Sequence, residues 1–97
     1  PYVPSYQRIA SGEFTGKGFG GKETWIWTGW LIPDVAKKGD VLKYSVPEGS
    51  YIETYVFGTW QRHNGPEIKT NVLSDMGELV LRAPKGVEVS AELWGIR

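Results

Sequence analysis

The chain has 97 residues, with eleven Lys and Arg balanced by eleven Asp and Glu, and no cysteine. A chain of this size buries only somewhat more than ~60% of its unfolded surface, so it supports one domain and leaves little material for a large enclosed active site. Balanced charge removes the broad attraction on which double-stranded nucleic acid and membrane-surface partners rely, and the missing thiols exclude disulfides, thiolate zinc sites and cysteine nucleophiles.

Thirteen glycines and six prolines, with five tryptophans and five tyrosines, indicate short strands joined by many turns. No apolar run approaches the ~18 residues of a membrane-spanning helix, and PYVPSYQR at the start lacks the basic and apolar regions of a signal peptide. The expectation is a soluble protein of unknown compartment, with extracellular and virion-associated settings both compatible.

Residues 1–22 read as a Pro/Gly-rich N-terminal arm, with a short apolar-periodic piece around Tyr6 to Ala10. Pro1 and Pro4 donate nothing to a ladder, which suits an edge strand on this domain or an arm laid on a neighbouring subunit. The run GKGFGGK imitates two phosphate-binding patterns through Gly16, Gly18, Gly21 and Lys22. A P-loop needs Ser or Thr after its lysine, where Glu23 stands here, and both patterns need a following helix, whereas TWIWTGW has strand character. A glycine turn or bulged hairpin explains the run better.

Glu23 to Ile32, ETWIWTGWLI, opens the remaining domain (23–97) and reads as its central strand. Trp25, Trp27 and Leu31 share one face at the two-residue period, and Ile26, Trp30 and Ile32 share the other. Two apolar faces mean cover on both sides or rings presented to a ligand. Pro33 to Lys38 allows a helical turn or two at most. Val41 to Val46 places Leu42, Tyr44 and Val46 inward, and PEGS at 47–50 is a turn. Tyr51 to Trp60 reads as one strand with two apolar faces, Gln61 to Pro66 as a loop and Glu67 to Leu73 as a weaker strand. Glu78 to Ala83 puts Leu79, Leu81 and Ala83 on one face. Val87 to Leu93 then alternates apolar residues with Glu88, Ser90 and Glu92, a side that Trp94 continues, so an indole is predicted on a polar face. The expected fold is therefore all-β: a single small β-sandwich or jelly-roll-like domain of about seven strands.

Catalytic signals are weak. His63 is the single histidine and has no accompanying nucleophile motif. The carboxylate pairs Glu48 with Glu53 and Asp75 with Glu78 are better explained as solvent-facing groups near turns. No cofactor is implied; calcium could be held only by loop groups such as Asp34 and Asp40, without an EF-hand pattern. The chain reads as a non-enzyme.

The aromatics carry the stronger expectation. Sugars stack their C–H faces on indole and phenol rings while their hydroxyls seek planar polar partners. Trp25, Trp27, Tyr51, Tyr55 and Trp94 are the candidate platform, with Glu53, Arg62, His63 and Asn64 as polar partners and no metal, while Trp30 and Trp60 are assigned to the core. This gives a lectin-like, non-catalytic carbohydrate-binding module. The alternative is a structural or assembly subunit, such as a virion protein, whose aromatics and N-terminal arm meet copies of itself in a homo-oligomer. Single-stranded nucleic acid also stacks on aromatics, but the neutral charge counts against it.

Overall fold

The computed structural model describes residues 1–16, 36–56, 58–73 and 81–97, and the backbone of 26–28. Eight strands follow in chain order: β1 (Tyr6–Thr15), β2 (Ile26–Thr28), β3 (Val41–Ser45), β4 (Tyr51–Val56), β5 (Thr59–Asn64), β6 (Glu67–Asn71), β7 (Leu81–Ala83) and β8 (Glu88–Ile96). They form two four-stranded sheets of order β1-β8-β3-β6 and β2-β7-β4-β5, and every pairing is antiparallel. No helix occurs among the described residues.

The period-two pattern explains the layers. In β8, Val89, Ala91 and Leu93 are buried and Glu88, Ser90 and Glu92 lie toward solvent. In β3, Leu42 and Tyr44 point inward between Val41, Lys43 and Ser45. Ile52, Leu81 and Ala83 of the second sheet complete the apolar layer, which gives each sheet one dry and one wet face. Burial pushes the Tyr44 phenol well above its ordinary pKa, so it stays neutral. In β1 a register shift between Arg8 and Ala10 puts Arg8 and Ser11 on the same outer face despite their odd spacing, as a bulge does.

Two expectations require correction. The predicted strand over Tyr51 to Trp60 is two strands, and the predicted loop at Gln61 to Pro66 is largely the second of them. The chain reverses at Gly58, which takes a left-handed φ of 83° open to glycine without a Cβ penalty, and Val56 pairs with Thr59. The Thr59 hydroxyl closes the reversal by donating to the Val56 carbonyl at 3.1 Å. Second, β2 pairs only with β7 at the end of its sheet among the described residues, whereas Glu23 to Ile32 reads as a central strand. Of the two placements offered for the N-terminal arm, Tyr6–Thr15 takes the edge strand on this domain, bonded along β8 at the end of the first sheet. The glycine run beyond Gly16, the first half of the helical turn expected at Pro33 to Lys38, and Leu79 lie outside the described residues, and Ala36 to Lys38 are not helical.

The chain ends are tied to the sheet. Ser5 and Arg97 exchange backbone hydrogen bonds at 3.1 and 3.2 Å, and Arg97 grips Asp40 with Nη1 to Oδ1 at 3.0 Å and Nη2 to Oδ2 at 2.9 Å. The Lys37 amide donates to Asp40 Oδ2 at 2.8 Å. The Arg97 hydrogen bonds hold the Asp40 carboxyl below its usual range against the opposing effect of burial.

Candidate functional site

The outer face of β4, β5 and β7 gathers most of the expected platform. Directly opposed residues in an antiparallel ladder share a face, and Glu53 is opposed by Arg62 on β5 and by Arg82 on β7. Its carboxylate accepts Arg62 Nε at 3.0 Å on Oε2, and Arg82 Nε and Nη2 at 3.0 and 2.7 Å on Oε1. Burial tends to raise the Glu53 pKa, but the Arg82 and Arg62 hydrogen bonds outweigh it and hold the carboxyl below its ordinary value. Glu53 is thus ionised and occupied. It positions the guanidiniums instead of facing a ligand.

Each guanidinium also lies against a ring. Arg62 stands 3.9 Å from the Tyr51 ring centroid and Arg82 3.9 Å from that of Trp60, within cation–π distance. Trp60 meets Tyr55 edge to face at 5.1 Å, as their direct pairing in the ladder requires. The result is a continuous strip of Tyr51, Arg62, Glu53, Arg82, Trp60 and Tyr55. Tyr55 is 43% exposed, and half of the Arg62 side chain is open to solvent. Arg62 spends Nε on Glu53, and its Nη groups have no hydrogen-bond partner among the described residues.

The other expected residues divide. Asn64 lies opposite Tyr51 on the same face, and Trp27 is opposite Arg82 in the backbone ladder. Trp25 and Trp30 lie outside the described residues. His63 departs from its neighbours: it opposes Ile52 on the inward side and meets the Thr54 hydroxyl at 2.9 Å through Nε2. In a loop His63 could join Arg62 and Asn64, but strand alternation turns it to the opposite face. Trp94 belongs to the other sheet, where the indole stands on the polar face expected for it. Asp40, one of the two candidate calcium ligands, has both oxygens bonded, and Asp34 lies outside the described residues.

Sequence reasoning missed Trp60 and Arg82. Trp60 is not part of the core cluster, contrary to expectation, because the reversal at Gly58 moves it to the outer face. The signal was present in TWQRHN, where Trp60, Arg62 and Asn64 alternate with Thr59, Gln61 and His63 once Gly58 is read as the turn. Arg82 alternates between Leu81 and Ala83, marking it as outward, but no local pattern shows that it reaches Glu53.

The fold and site therefore define an antiparallel β-sandwich with an aromatic and guanidinium face. Comparison of the chain with family models, curated proteins and solved structures found no match.

Proposed function

We propose that this chain is a non-catalytic carbohydrate-binding domain whose sugar platform is the outer face of β4, β5 and β7. The observation that carries the reading is the state of Arg62. Its guanidinium is braced by Glu53 and laid on Tyr51, and beside Asn64 it keeps Nη donors that have no hydrogen-bond partner among the described residues, on a side chain half open to solvent. Fixed planar donors next to exposed ring surface are what a sugar needs, since its hydroxyls and its C–H face are satisfied together. Because Glu53 sets the geometry before a ligand arrives, little side-chain entropy is lost on binding. Two guanidiniums against one carboxylate leave the strip a positive charge, which extends the reading to sugars bearing carboxylates.

The pairings β1 with β8, β2 with β7, β3 with β6 and β4 with β5 support a jelly-roll reading of the sandwich, an architecture that serves both lectin and capsid domains. It is compatible with either role and does not choose between them. A glycan array with wild type, Arg62→Ala and Tyr55→Ala provides the test. Binding to defined glycans, lost in both variants at unchanged thermal midpoint, supports the reading; equal binding by the variants, or none by wild type, overturns it.

One observation favours the alternative of self-assembly. Tyr2, Val3, Tyr6 and Ile96 are all exposed, and they meet at one corner, where Tyr6 opposes Ile96 and Ser5 pairs with Arg97. Grouped exposed apolar side chains suit a contact between copies of the chain. Light scattering of wild type against Val3→Asp measures this, since a defined oligomer that dissociates in the variant would put assembly first.

A further inference from the structure

We propose that the outer face of the opposite sheet carries a second carbohydrate site, built on Tyr6 and Trp94, so that one chain holds two glycans on opposite sides of the sandwich. The inference rests on the carbohydrate reading of the first face. Tyr6 and Trp94 stack with centroids 5.5 Å apart and planes inclined by 20°. The indole is fixed by its own N–H, which donates to Glu92 Oε1 at 3.1 Å, while Glu92 Oε2 accepts Arg8 Nη1 at 3.2 Å. Lys43 Nζ lies 4.2 Å from the Trp94 centroid and 5.8 Å from that of Tyr6, and Lys43 enters none of the ion pairs among the described residues.

Beside the rings the sheet face sinks into an open depression of about 620 Å³ bordered by Arg8, Glu13, Lys43 and Glu92 and floored by small residues including Ser45 and Ser90. The ladder explains this shape. One row of outward residues runs Ser11, Glu92, Lys43 and the next runs Glu13, Ser90, Ser45, so short hydroxyl side chains lie between longer charged ones. A volume in the ~300–1,000 Å³ range of small-ligand sites, lined by hydroxyl, guanidinium, ammonium and carboxylate groups and joined to the ring pair through Lys43 and Glu92, fits a short stretch of hydroxylated sugar rings. Lys43 carries its ammonium on a flexible four-carbon stem, which lets it turn from the rings and donate to a ligand oxygen.

The two faces share no side chain, and the packed core between them sets the sheets ~10 Å apart. A short oligosaccharide on one face therefore leaves the other open. The consequence is a monomer that cross-links multivalent glycans without oligomerising.

The test is a titration of the isotope-labelled full chain with cellohexaose, chitohexaose and hexagalacturonic acid, following amide and indole N–H signals, with stoichiometry taken from calorimetry. Two sets of signals are expected to move, one around Tyr51, Trp60 and Arg62 and one around Tyr6, Ser90 and Trp94, with two ligands bound per chain. Trp94→Ala should remove the second set and reduce the stoichiometry to one. Ser90→Tyr, which fills the depression from an exposed position, should do the same and guards against a folding defect in the first variant. Movement of the first set alone, with one ligand bound and both variants unaffected, overturns the second site and leaves the first standing. Movement of the second set alone overturns the two-site arrangement by removing the first. If no probe moves either set at millimolar concentration, both readings fall together.

Discussion

Arg82 on β7 reaches across β4 to lay its guanidinium 3.9 Å from the centroid of Trp60 on β5. On the way it donates twice to Glu53, so a single side chain joins three adjacent strands of one sheet. This makes Glu53 the keystone of a face on which two guanidiniums lie among half-buried and exposed rings.

Replacing Glu53 with Ala should therefore weaken both fold and ligand binding. Glu53 is 7% exposed, while its partners retain more access to water, so the orphaned guanidiniums can be partly resolvated. The expected cost is about 1–3 kcal/mol, the range for removing one partner of a charge-assisted hydrogen bond, and not the larger figure for a fully buried pair. Urea unfolding of the variant measures it. A loss of binding much greater than the loss of stability would show that the carboxylate positions Arg62. Wild-type affinity in the variant would show that it does not.

Acid should act through the same carboxylates. Glu53 and Asp40 both have folded pKa values below their ordinary ones, so each contributes stability that is complete above its unfolded pKa, near ~4, and is lost as pH falls through the folded value. Stability should be level from pH 7 to about pH 5 and decline below that range. Glu53→Gln should show a shallower decline than wild type. Parallel curves for the two proteins would remove Glu53 from the account.

How much of this was legible depends on the range over which each residue acts. The alternation in Val87 to Leu93 placed Val89, Ala91 and Leu93 in the core and Trp94 outside, because a strand with one wet face prints its register into the sequence. The hairpin at Gly58 was hidden because aromatic residues on both sides of it imitate a continuous two-faced strand, and His63 and Trp60 were misplaced as a result. The grouping of Tyr51, Glu53, Tyr55 and Arg62 follows from strand pairing once β5 exists. The Arg82 bond to Glu53 spans 29 positions, and the Arg97 bond to Asp40 spans 57. No local period encodes contacts at such separations.

The Asp40 pair predicts a sensitive glycine. Gly95 lies buried on β8, and a Cβ built there would collide with the Asp40 carboxylate and crowd Arg97. Gly95→Ala should displace the pair and leave a buried charge imperfectly matched, costing about 2–4 kcal/mol. Asp40→Asn combined with Gly95→Ala should cost less than the sum of the single changes, because both disturb one contact. Additive costs in denaturant unfolding would separate Gly95 from the pair.

The tryptophans give the sharpest division between fold and function. Trp60 is half-buried on the outer face and contacts Tyr55 and Arg82, so the losses in Trp60→Ala include an edge-to-face contact and a cation–π contact. These sum to about 1–3 kcal/mol with partial loss of burial. Leu93 is fully buried between the sheets, and Leu93→Ala should cost about 2–5 kcal/mol through lost transfer energy and the cavity left behind. At a temperature where both variants remain folded, glycan binding should be abolished by the cheaper change and retained by the costlier one. Thermal melts and binding titrations on the two proteins decide the matter. If affinity instead falls in step with stability in both, the aromatic face contributes to binding only by keeping the sandwich folded.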